Sequence, residues 1–369
     1  MPPTASSDGA DPVTEVGDAT GVGYRAAGVD IDAGAEAVRR IGPLVRSTYR
    51  PGVMGDIGGF GGLFDLARSG YRDPILVSAT DGVGTKAEIA RLTGRLDTIG
   101  RDLVAMCVDD LVCSGAAPLF FLDYLAVGRL DPEAVEHLVG GIAAGCSEAG
   151  CALIGGEMAE HPGVMSADQF DLVGFAVGAV EREDVMDGSA TSSGDLLVAI
   201  DSPNLRSNGF SLARHIVFDV AGRSLEDPAW EGSEGTLADE LLAPSVIYAP
   251  SVVAVLAVHE VHAVAHVTGG GLPGNLSRVL GEDVDAVLDH TAWEVPRIFR
   301  ELQDMGGVSD GEMARVFNLG VGMVLVVPPS EADGVVATLA SGARPARVIG
   351  ELVPGTGTVA YSSAGGMGS

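Results

Sequence analysis

Ile75-Leu76-Val77-Ser78-Ala79-Thr80-Asp81-Gly82-Val83-Gly84-Thr85-Lys86 is a short β-type run that opens into a loop holding an acid, two glycines, a hydroxyl and a cation. Glycines let backbone approach an anion closely. An Asp can hold a divalent metal, and a Lys can neutralise phosphate charge. Lys86 is the one lysine in a chain with 21 arginines. By itself the pattern fits a polyphosphate site and a Gly-rich turn with a solvated lysine equally well.

Working outward, strands are expected at 75–80, 118–127, 151–156 and 170–181, and helices at 30–50, 97–114 and 133–149. The segment Gly55–Gly62 is too rich in glycine for regular structure and reads as a flexible loop. Asp, Ser, Thr and Gly cluster at 183–194, and a second series follows. It has strands at 195–201, 261–267, 321–327 and 347–352, with helices from 209, near 244–258, around 272–280 and at 331–341. Strands alternating with helices in both halves argue for α/β or α+β layers. The expected division is a disordered segment 1–23, domains 24–183 and 184–355, and a loose tail 356–369.

The length of 369 residues suits two cores. A net charge of −29 disfavours nucleic acid and anionic membranes as partners. A nucleotide would need a local cationic site or Mg²⁺. Cys107, Cys113, Cys146 and Cys151 sit in apolar stretches without a C-x-x-C pair, and read as buried free thiols of a reducing compartment. The N-terminal stretch has no apolar core, and 249–267 is broken by His259, Glu260, His262 and His266. The expectation is a soluble cytoplasmic protein.

The helix at 97–114 carries Asp102, Asp109 and Asp110. Leu103, Val104, Cys107, Val108, Leu111 and Val112 form its apolar arc. Asp110 borders that arc, where a carboxylate is costly unless paired or metal-bound, so it is the better functional candidate. Asp102 and Asp109 lie away from the arc and read as solvated or polar-contact residues. Asp81 and Glu157 are both placed beyond strand ends, which suits a shared Mg²⁺ site, although Glu157 also fits a helix start. Asp123 either faces a ligand or has an ion-pair partner. Arg206-Ser207-Asn208-Gly209 and Thr268-Gly269-Gly270-Gly271 each precede a helix and offer free N–H groups to an anion. His262 and His266 read as core or hydrogen-bonded histidines. P-loop, nucleophile-elbow and cysteine–zinc patterns are missing.

The strings SATDGVGTK, DTIGRDLVAMCVDDLVCSGAAPLFFLDYLAVG, GCALIGGEMAEHPG, RSNGFSL and HAVAHVTGGGLPGNLSRVL closely resemble the phosphoribosylformylglycinamidine cyclo-ligase (PurM) family. YRAAGVDIDAG and FNLGVGMVLVVP extend the likeness over about 24–352. The resemblance implies a two-domain PurM-like fold whose N-terminal domain dimerises through its β-sheet. It implies ATP-dependent closure of formylglycinamidine ribonucleotide to aminoimidazole ribonucleotide in purine synthesis, with ATP and Mg²⁺ as co-substrate and metal. Gly58, Gly59, Gly61 and Gly62 would cover the nucleotide, with Gly82, Gly84 and Thr85 beside it. Asp81, Asp110 and Glu157 would bind Mg²⁺, with Lys86 nearby, and Asn208 with Thr268–Gly271 would hold the ribonucleotide. Relatives often carry His where this chain has Arg206, which cannot act as a general base but could bind phosphate. Competing readings are a selenophosphate synthetase-like enzyme, a thiamine-phosphate kinase-like enzyme and a non-catalytic nucleotide-binding regulator.

Overall fold

The computed structural model describes residues 23–362. Segment 1–22 and residues 363–369, part of the expected tail, lie outside the described residues. Helix α1 (Ile31–Ser47) starts at the Asp30 cap, whose side chain accepts from Asp32 N and Ala33 N. A small hairpin, β1 (Val53–Met54) and β2 (Leu63–Phe64), encloses the Gly-rich loop. Then come β3 (Pro74–Gly82), α2 (Lys86–Thr93), α3 (Ile99–Val112), β4 (Ala117–Val127), α4 (Pro132–Ala149), β5 (Ala152–Glu160) and β6 (Phe170–Glu181). Four of these strands form one sheet in the order β3-β6-β4-β5.

The chain restarts with β7 (Leu196–Asp201), α5 (Phe210–Arg214), α6 (Leu237–Leu241), α7 (Ala249–Leu256), β8 (Ala263–His266), α8 (Gly271–Leu276) and β9 (Val284–Leu288). It ends with α9 (Arg297–Gly306), α10 (Asp310–Val316), β10 (Val321–Val327), α11 (Ala332–Ser341), β11 (Ala346–Pro354) and β12 (Val359–Tyr361). The second sheet has the order β12-β9-β11-β7-β10-β8. Strand β12 pairs in parallel with β9, so part of the expected tail 356–369 is built into the fold.

Helix α3 decides how the halves meet. A Cβ on Gly174 of β6 would run into Leu103 and Cys107, so this face of the first sheet packs on α3. Phe175 and Leu76 therefore point away from α3, and they are 44% and 59% exposed. The opposite side of α3 is not in water. It is covered by the second half, and all of α3 except Asp110 and Arg101 is buried. Cys107, Cys146 and Cys151 are buried free thiols and Cys113 is partly so. Among the described residues no helix is long and apolar enough to cross a membrane.

Candidate active site

Asp102 and Asp109 are seven residues apart, nearly two turns, and so share the face of α3 turned to the second half. Of the two readings of Asp102 and Asp109, solvation fails and polar contact holds: both are 0% exposed. Asp102 Oδ2 lies 2.7 Å from Lys86 Nζ, and its Oδ1 accepts from Ser245 N at 2.8 Å. Asp109 Oδ2 lies 2.6 Å from Arg206 Nη2, while its Oδ1 accepts from Tyr248 N and Ala249 N at the start of α7. A helical wheel distinguishes apolar from polar faces, but not a solvated polar face from one covered by another domain.

Lys86 is likewise not a loop cation. It opens α2 and is 0% exposed. Besides Asp102, its ammonium donates to the carbonyls of Arg206 at 3.0 Å and Ala243 at 2.9 Å. Burial pushes its pKa below the usual lysine value, and Asp102 offsets part of that. The Asp81–Lys86 loop is thereby tied to the second half, and Thr85 Oγ1 sits 3.1 Å from Ser211 Oγ.

Arg206 is 1% exposed and has φ +61°, a strained backbone for a residue with a side chain. Asn204 Oδ1 accepts from its N–H and pins the turn. The guanidinium donates to Asp109, to Val246 O and to His266 Nε2, and lies 4.7 Å from the Tyr248 ring centroid. The sequence leaves phosphate binding open to Arg206, yet in the structure this cation is committed to Asp109. Next to it, Ser207 Oγ and Asn208 Oδ1 are buried with no hydrogen-bond partner among the described residues, which leaves acceptors free for a ligand.

Asp110 is the exposed aspartate of α3, its side chain 46% accessible, with Oδ1 2.7 Å from His266 Nδ1. Asp81, at the end of β3, shares Gly174's α3-facing side of the sheet. Burial raises its pKa, and the like charge of Asp110 raises it further. Two carboxylates that disfavour each other's charge suit a divalent cation.

Glu157 does not join them within one chain. The strand expected to stop at 156 continues to Glu160, so Glu157 lies inside β5, not beyond its end. The register Asp81–Gly174–Asp123–Gly156 crosses the whole sheet, which separates Asp81 from the β5 edge by roughly 14 Å. Among the described residues no group of three or more His, Cys, Asp or Glu is placed to hold one metal.

Glu157 instead lines a second feature, a crevice of about 760 Å³ between α1, the Gly58–Gly62 loop, β4 and β5. Gly59 and Gly61 are open there, whereas a Cβ on Gly62 would sit 2.7 Å from Ile154 O, so this glycine lets the loop lie on β5. Asp123 also lines the crevice, without an ion-pair partner among the described residues, and burial pushes its carboxyl up to about 7. A Cβ on Gly156 would lie 1.8 Å from Asp123 Oδ1, which is why β5 carries glycine here.

The Thr268–Gly271 turn is held by a residue the sequence reading missed. Asn275 Nδ2 donates to the carbonyls of Thr268, Gly269 and Gly271. Gly271 has φ +65°, and its missing Cβ would lie 1.8 Å from Ala314 O. The turn is thus rigid, although α8 is only six residues long and its dipole weak. His266, Tyr248 and Ser245 were missed as site supports too, and only His266, a hydrogen-bond former on a strand face, had a signal in the sequence.

Two tandem halves, joined around one helix by the buried Asp109–Arg206 pair and by the bonds of Lys86 to second-half carbonyls, define a class. Family models for AIR synthase related proteins match in tandem, the N-terminal domain over residues 69–180 and the C-terminal domain over 192–362. Phosphoribosylformylglycinamidine cyclo-ligases of Geotalea daltonii and Geotalea uraniireducens are 50% and 51% identical over 329 residues, which is 89% of this chain and 94% of each relative. The chain belongs to the phosphoribosylformylglycinamidine cyclo-ligase family. Solved structures share its fold at low identity. Thiamine-monophosphate kinase from Stenotrophomonas maltophilia has a TM-score of 0.65 at 19% identity, covering 88% of this chain and 96% of its own. Hydrogenase maturation protein HypE in complex with ATP has a TM-score of 0.62 at 17% identity, with 89% of each chain covered.

Proposed function

We propose that this chain closes formylglycinamidine ribonucleotide to aminoimidazole ribonucleotide, using ATP and releasing ADP and phosphate. The observation that carries the reading is half identity to named cyclo-ligases across nearly the whole length of both chains. ATP phosphorylates the formyl amide oxygen to an iminophosphate. A nitrogen of the same substrate then displaces phosphate and closes the imidazole. No enzyme nucleophile is needed, so the protein's task is positioning and charge neutralisation.

Gly58–Gly62 covers the nucleotide, with Gly82, Gly84 and Thr85 beside its phosphates. Asp81 and Asp110 fit a Mg²⁺ ion, which supplies neutralisation of triphosphate charge when bound. Asn208, whose Oδ1 has no partner among the described residues, and the Thr268–Gly271 turn hold the ribonucleotide. Lys86 and Arg206 are positioning residues that seat the loop and the helix. The chain works as a homodimer: the outward face carrying Leu76 and Phe175 calls for a cover, and β3 and β5 lie at opposite sheet edges, so Glu157 joins Asp81 only between copies. The reading places the protein in the cytoplasm.

The deciding assay is purified protein with ATP, Mg²⁺ and formylglycinamidine ribonucleotide. Substrate-dependent ADP release with an aminoimidazole product is expected. Binding of ATP without product overturns the reading.

A further inference from the structure

We propose that the buried Asp109–Arg206 pair is a tautomer lock, which holds His266 with its ring proton on Nδ1 so that His266 fixes the Asp110 carboxylate in the cleft. This deepens the reading above and rests on it for the use of Asp110, but not for the tautomer itself.

Hydrogen-bond donors around the ring fix its tautomer. A guanidinium has only N–H donors and does not lose its charge in a protein. Arg206 Nη1 lies 2.8 Å from His266 Nε2, so Nε2 must accept and cannot carry a proton. The ring proton is therefore on Nδ1, 2.7 Å from Asp110 Oδ1, and is donated to that carboxylate. An imidazolium would set one N–H against another. Arg206 has no alternative seat: its side chain is 0% exposed, Nη2 is 2.6 Å from Asp109 Oδ2, and Tyr248 stacks on it. Asp109 is fixed in turn by the N–H groups of Tyr248 and Ala249.

Adjacent residues of α3 are thus joined by a loop of side chains, Asp109–Arg206–His266–Asp110, that crosses to the second half and returns. Three members are buried and the side chain of the fourth is 46% accessible. His266 is a positioning residue: it orients a carboxylate and removes one of its rotamer freedoms before any ligand arrives.

The direct test is ¹⁵N-histidine-labelled protein without ligand, with two-bond ¹H–¹⁵N correlations assigned through His266 variants. The lock predicts a proton on Nδ1 and a free lone pair on Nε2. A proton on Nε2, or on both nitrogens, overturns the proposal, and this readout stands even if the ring-closing reading fails. Arg206→Met alone would strand Asp109, so the lock is removed in D109N/R206M. Both tautomers are expected there, and a pure Nδ1–H ring in that variant overturns the role of Arg206. For the effect on Asp110, His266→Asn keeps a donor where Nδ1 lies, whereas His266→Gln keeps a group only toward Arg206. H266Q is expected to lose about tenfold or more in kcat, and H266N clearly less. Equal losses, or the reverse order, overturn the positioning role.

Discussion

Replacing Lys86 with methionine separates two jobs that this lysine could do. The ammonium is fully buried and is held by Asp102 Oδ2 at 2.7 Å and by the carbonyls of Arg206 and Ala243. Methionine fills similar space but leaves the Asp102 carboxylate buried with only Ser245 as donor. Breaking a buried pair from one side costs about 3–5 kcal/mol. For the cooperative unit containing α2, α3 and the loop at Ser245, that lowers the melting temperature by roughly 10 °C. Removing both charges in K86M/D102L should restore most of the loss, because apolar replacements of a whole buried pair are often neutral or stabilising. Circular-dichroism melts of wild type, K86M, D102L and K86M/D102L give the coupling, and initial rates are measured on the same samples. The expectation is that K86M loses turnover and stability together, and that the double variant recovers part of both. A K86M protein that melts like the wild type refutes the argument. A double variant as stable as wild type yet wholly inactive would instead put the Lys86 ammonium on the phosphates.

Asp123 gives a pH dependence with a definite sign. Its carboxyl is raised from 3.8 to about 7 by burial, so the folded chain keeps a proton that the unfolded chain releases. Stability from this group therefore falls as pH rises between those values, and Asp123→Asn should flatten the melting-temperature profile over that range; an unchanged profile means Asp123 titrates normally. Gly62→Ala places a Cβ 2.7 Å from Ile154 O and lifts the loop off β5, so KM for ATP should rise with kcat less affected, as initial-rate kinetics will show. An unchanged KM would detach this loop from the nucleotide. Phe175→Arg on the outward sheet face should yield monomers in sedimentation velocity, and a dimer that persists in the variant would place the interface elsewhere.

The parts of the fold legible in the sequence are those whose local pattern has one cause. Val321–Val327 is an unbroken apolar run because β10 is buried between β7 and β8, and it was expected at its observed bounds. Strand β9, by contrast, is five residues of mixed character, Val284–Leu288, and its pairing with β11 and β12 is long-range. Helix α9 hides behind Arg297, Arg300, Glu301 and Gln303, with Ile298, Phe299 and Leu302 as its buried side. At the site, the glycine turns were legible because their geometry needs glycine. Glu157 was misplaced because Gly155-Gly156 looks like a strand end, when Gly156 in fact leaves room for the Asp123 carboxylate of the next strand. Asp102, Asp109 and Lys86 could not be read as solvated or bonded from the sequence for one reason, that the second-half groups they bond lie 97 to 157 residues away and leave no periodic trace.

Those distant partners also account for which cation stands where. The niche around residue 86 offers one carboxylate oxygen and two carbonyls around a point, which suits the three donors of a compact ammonium. The niche around residue 206 offers Asp109 Oδ2, Val246 O and a ring nitrogen on the edge of a plane, with the Tyr248 ring beneath it, which suits a planar guanidinium. Exchanging the two side chains would conserve charge but match neither niche. Apolar packing of α3 against α7 is non-directional and would tolerate sliding by a turn. The directional bonds across the halves do not, because Arg206 must find Asp109, Ser245 must find Asp102, and Lys86 must find the carbonyls of Arg206 and Ala243. These bonds therefore set the register in which the Asp81–Lys86 loop meets the Arg206 and Thr268 turns.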